Sequence, residues 1–254
     1  MLRVCNLCIQ FGGLKAVDDL SFDVEAGEIF TIIGPNGAGK TTVFNLLSRL
    51  YTPTGGDMIF DGQSLLNVPA NAIAARGIAR TFQNIELFDH ATVLQNLLVG
   101  RNCHGTTNFV EDLLFLPHVK AAERTHRRAV EEVIDFLELA PYRDQIVANL
   151  PYGIRKVVEI GRALAINPKL LLLDEPASGL SPEETSDLAF WIRDIRRVLG
   201  ITVVMVEHDM SLVRRVCDRV LAMAEGKALA SGSVQEVTND PRVIEAYLGT
   251  SEVV

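Results

Sequence analysis

The chain has 254 residues and a formal net charge of −8, with 22% charged and 48% apolar residues. That composition is globular rather than disordered and is enough for one large domain, or a domain with an inserted lobe, around a real core. No stretch approaches the ~20 consecutive apolar residues of a membrane span, and the acidic balance argues against a nucleic-acid binder, which carries a basic face.

The N-terminus, Met1-Leu2-Arg3-Val4-Cys5-Asn6, lacks signal-peptide character because Asn6 and Gln10 interrupt any apolar region. A cytosolic protein is expected, one that meets a membrane through other subunits. Cys5 and Cys8 have C-x₂-C spacing, but no second ligand pair with metal spacing follows. Together with Cys103 and Cys217 they are expected to be free thiols at core or edge positions. Residues 2–34 read as strands and turns: an alternating segment, Ser21-Phe22-Asp23-Val24, a turn at Glu25-Ala26-Gly27-Glu28, and the apolar run Ile29 to Ile33.

Next comes Gly34-Pro35-Asn36-Gly37-Ala38-Gly39-Lys40-Thr41-Thr42, set between that apolar strand and a helix-like stretch beginning at Lys40. This is the strand–glycine loop–helix context of a phosphate-binding P-loop. Glycines let the backbone close round phosphates so that successive N–H groups face the oxygens, and the helix N-terminus adds to the attraction. Lys40 would reach the β- and γ-phosphates, and the Thr41 hydroxyl would join a Mg²⁺ shell. A nucleoside triphosphate is the expected ligand.

A turn at Pro53-Thr54-Gly55-Gly56 and a short strand, Met58-Ile59-Phe60, follow, closed by Asp61-Gly62. From about Asn84 to Leu150 the pattern is helical. Ala129, Val130, Val133, Ile134 and Leu137 form one apolar stripe, which Pro141 is expected to stop. Lys169-Leu170-Leu171-Leu172-Leu173-Asp174 reads as a buried parallel strand ending in a charge. Asp174 suits a water-mediated Mg²⁺ contact, and Glu175 is placed to polarise an attacking water.

Ser181-Pro182-Glu183-Glu184 is a helix start with Ser181 as N-cap, Pro182 at the first position and Glu184 completing a capping box. Its helix is expected to bury Leu188, Trp191, Ile192, Ile195 and Leu199 and to end at Gly200. Ile201 to Val206 is a second buried strand, ending in Glu207-His208-Asp209. Two such strands deliver acids and a histidine to their C-terminal ends, where open α/β sheets bind ligands. His208 there favours a γ-phosphate contact.

Taken in order, these residues resemble the ATP-binding subunits of ABC transporters over essentially the whole chain. The matching positions are the P-loop at 34–42, Gln83 in Arg80-Thr81-Phe82-Gln83-Asn84, a signature segment at 150–156, Asp174, Glu175, Ser178-Gly179-Leu180-Ser181 and His208. The resemblance implies an α/β fold: a P-loop NTPase core with a parallel sheet, an N-terminal antiparallel β subdomain and an inserted α-helical lobe. It divides the chain into a first part of the core at 1–83, the lobe at 84–150, a second part of the core at 151–238 and a C-terminal helix and tail at 239–254. It puts Gln83 in a Mg²⁺-touching hinge loop, Phe11 on the adenine ring and Val17, of the same segment, among the nucleotide-binding residues. Stacking of that kind is worth about 1–3 kcal/mol per base in other base-binding proteins.

A narrower resemblance is to the ATPases of branched-chain amino-acid importers. It rests on Phe11-Gly12-Gly13-Leu14-Lys15-Ala16-Val17, Leu150-Pro151-Tyr152-Gly153, Val206-Glu207-His208-Asp209-Met210 and the string from Asp240 to Gly249. The long helical lobe is closer to their LivG type. The family signature normally begins Leu-Ser-Gly-Gly-Gln, whereas this chain has Leu150-Pro151-Tyr152-Gly153-Ile154. Pro151 removes a hydroxyl and one N–H, yet proline suits a helix start. Two readings follow: either this half-site is weakened and the partner's signature supports most of the hydrolysis, or the helix dipole and Gly153, which allows close backbone contact, suffice for Tyr152 and Gly153 to meet the γ-phosphate of an opposing subunit. The family's aspartate is replaced by Ser181, for which the N-cap role is sufficient.

The resemblance implies an ATP-hydrolysing subunit using Mg²⁺, peripheral on the cytoplasmic face of the inner (plasma) membrane. Its implied partners are integral-membrane permease subunits, a second ATP-binding subunit (identical or distinct) and, indirectly, a solute-binding protein, with no nucleic acid. The implied cargo is branched-chain or related small amino acids. Urea, amides and a soluble ABC ATPase without a transport role stand as alternatives.

Overall fold

The computed structural model describes residues 1–104 and 117–248. Part of the expected helical lobe (105–116) and the end of the C-terminal string (Gly249 and the tail) lie outside the described residues. The strands are β1 (Leu2–Phe11), β2 (Leu14–Val24), β3 (Ile29–Ile33), β4 (Gly55–Phe60), β5 (Gln63–Ser64), β6 (Ile78–Arg80), β7 (Leu170–Asp174), β8 (Thr202–Val206), β9 (Arg219–Ala224) and β10 (Lys227–Gly232). The helices are α1 (Lys40–Leu47), α2 (Val93–Gly100), α3 (Pro117–Phe136), α4 (Tyr152–Leu164), α5 (Pro182–Leu199), α6 (Met210–Val216), α7 (Val234–Thr238) and α8 (Pro241–Leu248).

Among the described residues the strands make two sheets. One has the order β10-β9-β3-β8-β7-β6, parallel from β9 to β6 with β10 antiparallel at the edge. The other is antiparallel, in the order β2-β1-β4-β5. Every residue of β3, β7 and β8 is buried, which is why their sequences do not alternate and are apolar apart from Thr31, Thr202 and the terminal Asp174. β1 and β2 do alternate, because only one of their faces is covered.

The parallel sheet has a core on each face. On one side Phe30, Ile32, Leu172 and Val204 pack with α1 and the antiparallel sheet, and Phe22 stacks on Phe30 with centroids 5.5 Å apart. On the other, Ile29, Leu171, Leu173 and Val203 pack with the helices. The strands' common C-terminal edge is thereby left open for chemistry.

The α5 start has the expected capping box, with Glu184 N–H donating to Ser181 Oγ at 3.3 Å and Ser181 N–H donating to Glu184 Oε2 at 2.8 Å. Three local expectations need correction. Leu199 is 43% exposed, because the final turn of α5 runs past the core. β4 begins at Gly55, inside the expected turn, where Gly55 pairs with Cys8 of β1. And α3 stops at Phe136, well before Pro141: Glu138 adopts φ 55 and the N–H groups of Glu138 and Leu139 donate to Asp135 O (3.2 Å) and Ile134 O (2.8 Å). That paired closure is a helix stop in its own right.

Leu172 is wholly buried in β7, between β6 and β8. Leu172→Ala should cost about 2–5 kcal/mol of stability through the cavity it leaves, measured as a fall in the denaturant midpoint with an unchanged slope.

Candidate functional site

The loop from Gly34 to Gly39 joins β3 to α1, as the spacing predicts. Gly39 is the N-cap of α1 at φ 98, and a side chain there would place its Cβ 2.4 Å from Ala16 O. At Gly34 a Cβ would fall 2.2 Å from Met223 O. Only glycine fits either place. Lys40 is buried and turns back on its own loop, its Nζ donating to Gly34 O at 2.7 Å and Pro35 O at 2.9 Å. Burial lowers its pKa, and the charges of Glu175 and Asp174 oppose that shift. Asn36, Gly37 and Thr41 are exposed, Pro35 and Thr42 are half-buried, and Ala38 is buried. The loop opens on a cavity of about 670 Å³ whose lining includes Lys40, Thr41, Gln83 and Glu175.

The C-terminal end of β7 brings Glu175 into the lining of this cavity, with Asp174 buried beside it and His208, from the end of β8, close to Glu175. Asp174 is 1% exposed, and its Oδ2 accepts from Arg80 Nη2 at 2.8 Å. Burial raises its pKa, and the Arg80 hydrogen bond and charge pull the other way. Its Oδ1 is buried without a hydrogen-bond partner. An orphaned carboxylate oxygen beside a phosphate-binding loop suits a hydrated divalent cation, so the donor set fits Mg²⁺. Glu175 sits at φ 46, in the left-handed region that side chains rarely adopt. Its N–H donates to Val206 O at 3.0 Å, which ties it to β8. Glu175 Oε2 accepts from Gln83 Nε2 at 2.9 Å and lies 3.9 Å from His208 Nδ1. Gln83, Glu175 and His208 thus form one cluster.

The other predicted contacts are more scattered. Phe11 is 45% exposed and meets Tyr51 edge-on at 5.2 Å, a flat apolar face at the β1–β2 turn. Phe11 is outside the lining of the P-loop cavity, to which the turn contributes Leu14, Lys15 and Ala16. Val17 is wholly buried in the core between the two sheets, so its side chain presents no surface to a nucleotide. Tyr152 opens α4 behind Pro151, with no side-chain cap. Its hydroxyl donates to Ser178 O at 3.3 Å. Gly153 is needed within the chain itself: a Cβ there would stand 2.3 Å from Glu184 Oε1 of the α5 capping box.

Several residues with no part in the sequence reading hold this arrangement. Arg80 bonds Asn45 Oδ1 and Ser48 Oγ at 2.8 Å each as well as Asp174, and its guanidinium lies over the rings of Phe44 and Phe82. Along α4, Lys156 Nζ donates to Gln83 O at 3.1 Å, Glu159 Oε1 accepts from Phe82 N–H at 3.1 Å, and Arg162 donates to Glu86 O. The signal for these lay in the sequence: polar residues at three-residue spacing interrupt the apolar face of α4, and buried charges demand partners.

A family profile described as ABC transporter matches residues 17–178. The high-affinity branched-chain amino acid transport ATP-binding protein BraF of Pseudomonas aeruginosa is 41% identical over 252 residues, 98% of each chain. This chain belongs to the ABC transporter family. LivG of Salmonella typhimurium, described in the same words, is 40% identical to this ABC subunit over 252 residues, again 98% of each. A crystal structure of the ADP conformation of an ATP-binding cassette of an ABC transporter matches with a TM-score of 0.84 at 32% identity, covering 98% of both chains. A second profile, described as branched-chain amino acid ATP-binding cassette transporter, matches residues 229–253.

The expected fold class is therefore correct, and the chain is an ATP-binding, ATP-hydrolysing ABC subunit. ABC importer subunits of this kind work with membrane permeases. Among the described residues of this one, no helix is long and apolar enough to cross a membrane.

Arg80 and Asp174 are both nearly buried, with side chains 8% and 2% exposed. Arg80→Ala should therefore cost about 3–5 kcal/mol by stranding a buried carboxylate. The folded-state pKa of Asp174, already raised, should rise further. A carboxyl with a raised folded pKa stabilises the protein below its unfolded pKa and loses that stabilisation as pH rises through the folded value. The penalty of Arg80→Ala should thus shrink on acidification, as read from unfolding midpoints across pH.

Proposed function

We propose that this subunit is the motor of an importer for branched-chain or related small amino acids, bound peripherally to permease subunits at the cytoplasmic face of the membrane. What carries the reading is the cavity that the P-loop shares with Gln83 and Glu175, with Asp174 next to Glu175 in the chain and His208 Nδ1 3.9 Å from the Glu175 carboxylate. The cargo class is supported by the full-length similarity to BraF and LivG and by the match of residues 229–253. Two ATP-binding subunits, identical or distinct, would close head to tail over two ATP molecules. Each P-loop would then face the 150–156 segment of the other. The solute-binding protein would act through the permeases alone.

In this mechanism the phosphates enter along the backbone of the exposed residues Asn36 and Gly37, and Lys40 exchanges its contacts with Gly34 O and Pro35 O for phosphate oxygens. Thr41, Gln83 and Asp174 would hold Mg²⁺, which supplies charge neutralisation for the phosphates. Glu175, whose Oε2 accepts the Gln83 amide, takes a proton from the attacking water. The water oxygen forms a bond to the γ-phosphorus as the bond to the bridging oxygen breaks, leaving ADP and phosphate. His208, with its side chain 60% exposed, is free to turn onto the γ-phosphate. Loss of the phosphate shared between the two halves lets them part, and the lobe of residues 84–150 passes that motion to the permeases. Phe11 is proposed as the adenine platform, and Tyr152 and Gly153 as the γ-phosphate contact across the pair. In this role Gly153 contributes backbone, since its side-chain space belongs to Glu184.

Glu175→Gln should bind ATP normally and lose at least about 10²-fold in turnover, the lower end of what a general base contributes, read by phosphate release. Lys40→Ala should weaken nucleotide binding itself, measured by titration calorimetry; unchanged affinity would remove the P-loop role. Affinity capture of the tagged chain from detergent-solubilised membranes should recover two permeases and a second ATPase, and recovery of the chain alone from the soluble fraction would reject the importer reading.

A further inference from the structure

At the end of β8 lies a carboxylate that the mechanism above does not use. Glu207 is 0% exposed, and its two oxygens serve different loops. Oε1 accepts the N–H of Ala177 at 2.8 Å, in the turn that follows Glu175. Oε2 accepts the N–H groups of His208 at 3.0 Å and Asp209 at 3.1 Å. Burial pushes the carboxyl pKa up, and the three backbone donors pull it down.

A buried carboxylate is costly unless fully hydrogen-bonded. Here all three donors are backbone groups of the two loops that flank the Glu175–His208 cluster. The connection also extends outward. Asp209 caps α6 through Ser211 N–H at 2.7 Å. On the other side, Ser178, next to Ala177, accepts the Tyr152 hydroxyl at the head of α4.

We propose that Glu207 is a positioning residue that ties the His208 loop to the turn at 176–179, so that engagement of His208 with phosphate moves that turn and the head of α4 with it. The inference rests on the reading of His208 as the γ-phosphate contact. Glutamine is the sharp test, because its amide keeps one accepting oxygen where the carboxylate has two. The –NH₂ end then faces an N–H donor, either at Ala177 or at His208 and Asp209, and one half of the tie is lost. Shape and packing are nearly unchanged.

The experiment is a double-mutant cycle on MgATP hydrolysis by the full-length chain, with wild type, E207Q, H208A and the double variant. ATP affinity and thermal unfolding are measured on each. E207Q should keep ATP affinity and lower kcat by about a hundredfold, the scale of an ångström of misplacement. Combined with H208A it should add almost nothing, because the two act as one unit. Additive losses in the double variant would overturn the proposal, as would a folded E207Q with wild-type kcat. If E207Q does not accumulate as folded protein, E207D takes its place, since it keeps the charge but is too short to span both loops; the same non-additivity is expected and additivity again overturns it. H208A with normal turnover would mark failure of the γ-phosphate reading itself, separately from the E207Q result.

Discussion

Burial of β3, β7 and β8 on both faces is the constraint from which the rest follows. A strand with no solvent face can place a charged or reactive side chain only where it ends. The sheet therefore exports its polar chemistry to one edge: the P-loop from β3, Asp174 and Glu175 from β7, and Glu207 and His208 from β8. Because the strands are parallel and adjacent, those ends lie side by side. Convergence of the phosphate loop with the acids is a product of sheet topology before any side chain is chosen.

The edge also gathers groups with unusual local geometry or bonding. Glu175 occupies a left-handed backbone conformation, Asp174 keeps an orphaned buried oxygen, and Lys40 bonds the carbonyls of its own loop. Each is tolerable because its surroundings are over-determined by the two cores behind it. Of these, the Asp174 oxygen is the one a cation would satisfy, and Lys40 the one that would exchange its partners for phosphate oxygens.

Much of this was legible in the sequence, and the reason is physical. Short, largely apolar runs ending in acids read as buried parallel strands, and Ser181-Pro182-Glu183-Glu184 reads as a helix start. The P-loop announces itself because its glycines, its lysine and its helix must be contiguous. What escaped were interactions between segments distant in sequence. Val17 lies in a motif segment and turns out to be core; Gly153 reads as a phosphate contact and also makes room for Glu184. Leu199 matches an apolar stripe that simply outlasts the core beneath it. Arg80 and Glu207 stood in plain view, but a charge gives no hint of its partner until the fold supplies one. The end of α3 was misread because a glutamate at positive φ, which few sequences advertise, stops the helix before the proline does.

The bonds from Lys156, Glu159 and Arg162 to the backbone around Gln83 carry a consequence for anyone who recombines these subunits. All three grips fall on main-chain atoms, so they are indifferent to which side chains the gripped loop carries. That loop can drift in sequence while staying fastened to α4, and the two form one mechanical piece although 73 positions separate Gln83 from Lys156. A graft that takes residues 84–150 from a relative cuts through the loop on one side and stops just short of the helix that holds it on the other. The natural unit of exchange is larger: it begins before Phe82 and ends after Arg162.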